Sequence, residues 1–392
     1  MKQSNRISTL LGDGDGDAGW GTFLKARRMI AAGTDVIELT IGEHDIRTHP
    51  DILTFMHEAA IGGHTGYASV PGIQPLREAV ATRVQAQTGV PTTTDNVLIT
   101  PGGQSALFSS HLAVCDDGDT ALYIDPYYAT YPATLRAVGA IPQPIPAHAV
   151  DNFQPRASEI AKHASGAKSM LINSPNNPTG VVYSRATLEG IAQVCIENDL
   201  WLISDEVYDT QIWQGEHISP RSLPDMAERT LVVGSMSKSY AMTGSRIGWI
   251  IAPEAVIESL INLATHTTYG VAGYIQDAAL FALEQGAPME RDIAAPFARR
   301  REIAMQVLAG QNVVKHVPCM GAMYLMLDIR ATGLSGEDFA DALLESEHIA
   351  TMPGESFGRS AAGHIRVAMT VDDAAFKAAL TRLVEFAKGV AE

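Results

Sequence analysis

Cysteine is scarce: Cys115, Cys195 and Cys319 are the only three in 392 residues, far apart and without a CxxC spacing. That leaves neither a disulfide framework nor a thiolate metal site, and it suits a reducing compartment. Positive charge is also short. Twenty-eight basic residues stand against 44 acidic ones, a formal charge of −16, which argues against nucleic acid or an anionic membrane as a partner. No apolar run approaches the length of a membrane span, and the opening MKQSNRISTLL has no apolar signal core. The expectation is a cytoplasmic protein that binds no metal.

With 46% apolar and 18% charged residues, the chain reads as globular and long enough for two or three domains. Between residues 95 and 251, short β-rich runs alternate with helical patterns. VLIT (97–100), TALYID (120–125), SMLIN (169–173), LWLIS (200–204), TLVVGS (230–235) and IGWII (247–251) read as buried strands. The stretches Gln104–Val114, Ala129–Val138 and Ser184–Asn198 read as helices between them. Such alternation predicts a large α/β domain with a mostly parallel sheet. After three helical patterns at 253–265, 273–285 and 288–309 come the strands GAMYLMLDI and HIRVAM and a last helix from Asp372. With VIELTIG near residue 36, these predict a smaller α+β domain formed by both chain ends. The expected division is an N-terminal arm and part of the small domain at 1–45, a large domain at 46–284 and the rest of the small domain at 285–392.

Three motifs mislead. Gly14–Gly19 spells GxGxxG, but no strand feeds it and its aspartates would repel a pyrophosphate. The same stretch imitates a calcium loop, yet Ala18 stands where the turn glycine belongs and Leu24 where the bidentate glutamate belongs. It reads as an acidic turn. GESFG at Gly354–Gly358 matches a hydrolase elbow, but the order Ser, acid, His cannot be completed after Ser356. That loop reads as structural.

Loops that follow parallel strands gather at one edge of the sheet, where ligands of such folds bind. VLIT is followed by PGGQSAL, a glycine turn opening a helix, which suits an anion. TALYID leads to PYYATY, SMLIN to SPNNPTG, LWLIS to DEVYD and TLVVGS to MSKSY. Taken singly, Asp205 reads as a helix cap, Asn177 as a turn former and Tyr128 as packing. Together they bring an anion cradle, an aromatic ring, an amide, a carboxylate, a phenol, a lysine and an arginine to one edge. Lys238 lies in GSMSKSYAMTGSRIGW among small and apolar residues, with Arg246 the next charge. A desolvated pocket and a neighbouring cation depress an amine's pKa and free it to attack a carbonyl.

SPNNPTG, ISDEVY and SMSKSYAMTGSRIGW resemble the class I/II aminotransferases, fold type I enzymes dependent on pyridoxal phosphate. ELTIGEHDIRTHP, GYASVPGIQPLREAV and HIRVAMT resemble the same family, in the same order along nearly the whole chain. The resemblance implies a three-layer αβα large domain and ping-pong transfer of an amino group between an amino acid and a 2-oxo acid. It implies that Lys238 is the Schiff-base lysine and that Arg246, Ser235, Ser237, Gly103 and Gln104 hold the phosphate. Asp205 would sit under the pyridine nitrogen, Asn177 and Tyr208 at the ring hydroxyl, and Tyr128 on the ring face. Arg366 would bind the substrate α-carboxylate, helped by Asn177 and the Gly42 backbone. Tyr67 would reach the phosphate of a second subunit, which implies a homodimer.

Two alternatives share these residues: a Cβ–S lyase and a non-catalytic effector-binding protein. Many aspartate-using relatives carry a lysine where Gln104 stands, which weakens the case for a dicarboxylic substrate. His44 replaces a proline of the family's usual GEPD, and reads either as a pocket modifier or as a surface histidine.

Overall fold

The computed structural model describes residues 9–10 and 20–391. The acidic turn at Gly14–Gly19 lies outside them. In chain order the strands are β1 (Ile37–Glu38), β2 (Val97–Thr100), β3 (Thr120–Asp125), β4 (Ile141–Pro146), β5 (Ala167–Asn173), β6 (Trp201–Asp205), β7 (Thr230–Ser235) and β8 (Gly248–Ile251). They are followed by β9 (Lys315–His316), β10 (Tyr324–Asp328), β11 (Ile349–Ala350), β12 (Met352–Pro353) and β13 (His364–Ala368).

Seven strands form one sheet in the order β2-β8-β7-β6-β5-β3-β4. β4, β3, β5, β6 and β7 run parallel, and β8 lies antiparallel between β7 and β2. Side chains alternate between the faces, so each strand feeds two cores. Tyr123, Leu171, Ile203, Leu231 and Ile250 pack with helices Gly103–Val114 and Glu254–Thr265 on one face. On the other, Leu122, Met170 and Leu202 pack with helices Ala157–Ala164 and Arg185–Glu197. Ile99, Val232 and Trp249 continue that face with helices Gln74–Thr88 and Gly273–Gln285. This is the three-layer αβα arrangement.

Strand β4, IPQPIP, escaped the pattern reading because three of its six residues are proline. The flanking register explains how they fit. Ile141 N donates to Asp119 O at 2.8 Å and Ala147 N to Asp125 O at 2.7 Å. Odd-numbered N–H groups therefore face β3, and Pro142, Pro144 and Pro146 face away at the outer edge, where no ladder donor is required.

The second core is built on the antiparallel sheet β12-β13-β10-β9 and on β1 paired with β11, so both chain ends contribute. Helix Ala287–Leu308 joins the two cores. Its Met289 and Ile293 lie in the core of the large sheet; Phe297, Ala304 and Leu308 lie in the second, with Pro296 between. Arg300 on this helix is 3% exposed and forks onto Asp45 at 2.9 and 2.6 Å, while its Nε reaches Asp373 at 2.9 Å. One guanidinium thus ties the segment after β1 to the C-terminal helix Asp373–Ala391.

Candidate active site

Because β8 runs opposite to its neighbours, its beginning meets the carboxyl ends of β2, β3, β5, β6 and β7. A cavity of about 390 Å³ opens at that edge. Its lining includes Gly42, Gly103, Gln104, Tyr128, Asn177, Asp205, Tyr208, Ser235, Ser237, Lys238, Arg246 and Arg366. Every residue expected to bind cofactor or substrate, except Tyr67, therefore reaches one pocket.

Glycines shape its floor. Gly102 precedes helix Gly103–Val114 with φ +81°, and a Cβ there would meet Arg246 Nη2 at 2.5 Å. A Cβ on Gly248 would meet Gly234 O at 2.6 Å. Bare backbone thus brings the helix's first N–H groups, which have no intrahelical acceptor, close to the guanidinium. Ser235 caps the following turn, its Oγ accepting from Ser237 N at 3.1 Å and donating to Ser237 Oγ at 3.0 Å. Arg246 itself has φ +51°, an uncommon conformation for an arginine that turns the chain from this loop into β8. The side chain of Gln104 is tied to the next loop, accepting from Thr130 Oγ1 at 3.1 Å and donating to Thr134 Oγ1 at 2.9 Å.

Lys238 sits on the single turn Met236–Ser239, and its Nζ donates to Gly42 O at 2.5 Å. Burial lowers its pKa below the ordinary 10.5. Arg366 and Arg246 push the same way, against Tyr324 and Glu43. Neutral amine is therefore more accessible here than on a surface lysine.

Asp205, at the end of β6, is 4% exposed. Burial raises its pKa to about 6, opposed by hydrogen bonds from Tyr131 Oη at 2.7 Å and from Val207 N at 3.4 Å. With these donors, and with Lys238 also favouring the charged form, the carboxylate remains mostly ionised at neutral pH, and no cation lies within salt-bridge distance of it among the described residues. Tyr131 was not singled out in the sequence, although PYYATY contains it.

Arg366, on β13, is 4% exposed and lies between two aromatic rings, 4.4 Å from the centre of Tyr324 and 4.3 Å from that of Phe357. Nη1 donates to Asn177 Oδ1 at 2.9 Å and Nη2 to Thr40 O. Nε is buried without a partner, and no carboxylate pairs with the group among the described residues. Burial lowers its pKa, but an arginine remains charged at any working pH. A buried cation with a spare N–H is a receptor for an anion. Asn177 is itself braced, its N donating to Asn173 Oδ1 at 2.7 Å, and Tyr208 Oη meets Tyr324 Oη at 3.1 Å.

Three other sequence readings meet the structure elsewhere. Tyr67 is 91% exposed and touches Tyr269, away from its own chain's pocket. His44 is not a surface residue: both ring nitrogens are buried without partners, and the ring packs edge-on to Phe297 at 5.2 Å. Burial, then the charge of Lys238, lowers its pKa to about 4, so it is neutral. Ser356 is buried in the turn Gly354–Phe357, outside the pocket lining, and the same loop supplies Phe357 to Arg366.

Comparison with known proteins agrees with this arrangement. The family model for aminotransferase class I and II matches residues 34–383. The arginine–pyruvate transaminase AruH of Pseudomonas aeruginosa is 38% identical, over 94% of each chain. The aspartate/prephenate aminotransferase of Thermus thermophilus is 32% identical, over 91% of this chain and 92% of that one. A solved double mutant of Thermus thermophilus aspartate aminotransferase superposes with a TM-score of 0.91 at 31% identity, over 99% of each chain.

Proposed function

The chain belongs to the class I and II aminotransferases, pyridoxal-phosphate enzymes, and from that premise we propose which of its residues bind, hold and move protons. The residues present fit the cofactor. The glycine floor under Arg246 leaves room for a phosphate, Asp205 is a buried carboxylate in no salt bridge among the described residues, and Lys238 is an amine of lowered basicity. Arg246, Ser235, Ser237 and the N–H groups of Gly103 and Gln104 would hold the phosphate. Lys238 would hold the carbonyl end, Asp205 the ring nitrogen, Asn177 and Tyr208 the ring hydroxyl, and Tyr128 the ring face. Bound there, pyridoxal phosphate supplies a carbonyl for the amino group and an electron sink for the substrate α-carbon.

Arg366 fixes the substrate α-carboxylate, and Asn177 and Thr40 O hold its guanidinium in one orientation, so the α C–H bond has a fixed direction. Lys238, once its Nζ leaves Gly42 O, takes the proton from the α-carbon and later returns a proton to the carbon that receives the amino group. Asp205, ionised above about pH 6, keeps a proton on the ring nitrogen. The observation that carries this reading is the buried guanidinium of Arg366, with an unpaired N–H and no carboxylate partner among the described residues.

A homodimer completes the site, with Tyr67 of each copy reaching the other's phosphate; its 91% exposure supports this. A cytoplasmic location suits three buried, unbridged thiols. The test is reconstitution with pyridoxal phosphate, borohydride reduction and peptide mapping, followed by mixing with amino acids and 2-oxo acids. The label is expected on Lys238, with spectral conversion of the cofactor by a donor and its reversal by an oxo acid. A label elsewhere, or loss of neither label nor turnover in Lys238→Ala, sinks the assignment.

A further inference from the structure

Among the described residues, the charged groups lining the pocket are Glu43, Asp205, Lys238, Arg246 and Arg366. On the aminotransferase reading above, on which this inference rests, each of the three cations already has a task. A donor with a second carboxylate would find none left for it. The neutral Gln104 does not substitute, because its amide is engaged by Thr130 and Thr134.

The segment that carries Tyr67, and the one packed against it, offer no cation to a second copy of the chain. Residues 61–72 and 266–275 contain no lysine or arginine, and His64 pairs with Asp277 at 2.5 Å.

The anions point the other way. Asp205 is buried and bound to Tyr131, whereas Glu43 is exposed and lies one residue beyond Gly42, which holds Lys238. Thr243 Oγ1 donates to Glu43 Oε1 at 3.1 Å, and no cation pairs with Glu43 within salt-bridge distance among the described residues. A carboxylate has about four acceptor sites, so most of its capacity is free. Trp20 and Ile41 line the same pocket and offer apolar surface to a methylene stem.

We propose that the pocket takes an amino-acid donor with a long side chain ending in a cation, and that Glu43 is its counter-ion at the pocket mouth. Such a side chain would lie along Trp20 and Ile41 and bring its cation toward Glu43, its head still partly hydrated. Aspartate and glutamate are disfavoured by the same carboxylate.

The experiment uses the reconstituted holoenzyme and follows cofactor conversion with L-arginine, L-lysine, L-alanine and L-aspartate. L-Arginine or L-lysine is expected to exceed L-aspartate at least tenfold in kcat/KM. Glu43→Gln should lower the arginine-to-alanine ratio roughly 3- to 10-fold, chiefly through KM, as loss of a partly solvated ion pair implies. Glu43→Arg should raise the aspartate-to-arginine ratio. Conversion by L-aspartate as fast as by L-arginine, or ratios unmoved in both variants, overturns the proposal alone. No conversion by any donor overturns the aminotransferase reading as well.

Discussion

The hydroxyl of Tyr131 donates to Oδ2 of Asp205 across 2.7 Å, both groups being buried at the edge of the large sheet. This bond stabilises the charged carboxylate and opposes the effect of burial. Tyr131→Phe removes a donor to a charged acceptor, about 1.5–3 kcal/mol. Affinity for pyridoxal phosphate should drop roughly 10- to 100-fold, and Asp205 should hold its proton to higher pH. Titrating apoprotein with cofactor at several pH values measures both effects; an unaltered affinity curve would remove Asp205 from the ring-nitrogen role.

In the unmodified protein the same carboxyl sets a pH limit. Its pKa of about 6 lies above the ordinary 3.8, so falling pH removes its charge near 6. Cofactor affinity should be steady above that value and decline below it. For folding of the apoprotein the sign is reversed. Between about pH 4 and 6 the native chain keeps a proton that the unfolded chain releases, so stability falls as pH rises through that window. Asp205→Asn should flatten this slope in thermal melts of the apoprotein.

Arg366→Lys keeps a positive charge but loses the planar fork and the stacking between Tyr324 and Phe357. Donor KM should rise about 10- to 100-fold, in line with loss of charge-assisted hydrogen bonds. Steady-state kinetics with one donor and one oxo acid is sufficient. Equal KM values would move carboxylate recognition elsewhere.

Gly102→Ala places a methyl 2.5 Å from the Arg246 guanidinium, at a backbone geometry of φ +81° and ψ 172°. Such a geometry costs a non-glycine residue about 1–3 kcal/mol. Cofactor affinity should fall at least tenfold, and the apoprotein should melt earlier. Gly103→Ala, whose methyl meets Val207 Cγ1 at 3.3 Å, should lose less. The difference between the two is the measurement.

Tyr67→Phe tests the second subunit. If its hydroxyl binds a phosphate across the interface, the holoenzyme should sediment at twice the chain mass and the variant should bind cofactor roughly 3- to 10-fold more weakly. A monomer with unaltered affinity removes Tyr67 from the site.

Most of the large sheet was legible because buried parallel strands are continuous apolar runs, and the loop after each carries its own chemistry. β4 was not, since prolines contradict strand propensity unless the chain is known to lie at an edge. Tyr324 was hidden for another reason. It pairs with Ala368 while Arg366 pairs with Met326, so Tyr324 and Arg366 share a face only once that register is known. Phe357 comes from a loop whose only signal was a misleading serine motif, and the choice for His44 between pocket modifier and surface residue is decided only by helix Ala287–Leu308, whose Phe297 packs on it.

The proline-bearing margin of the large sheet has a consequence for behaviour at high concentration. Pro142, Pro144 and Pro146 present carbonyls outward but no amide hydrogens, and Gln143 Nε2 already donates to Pro144 O at 3.1 Å, so an incoming strand finds no backbone donor at these three positions. Edge-to-edge stacking is disfavoured on that side by the prolines themselves, with no lysine in the strand.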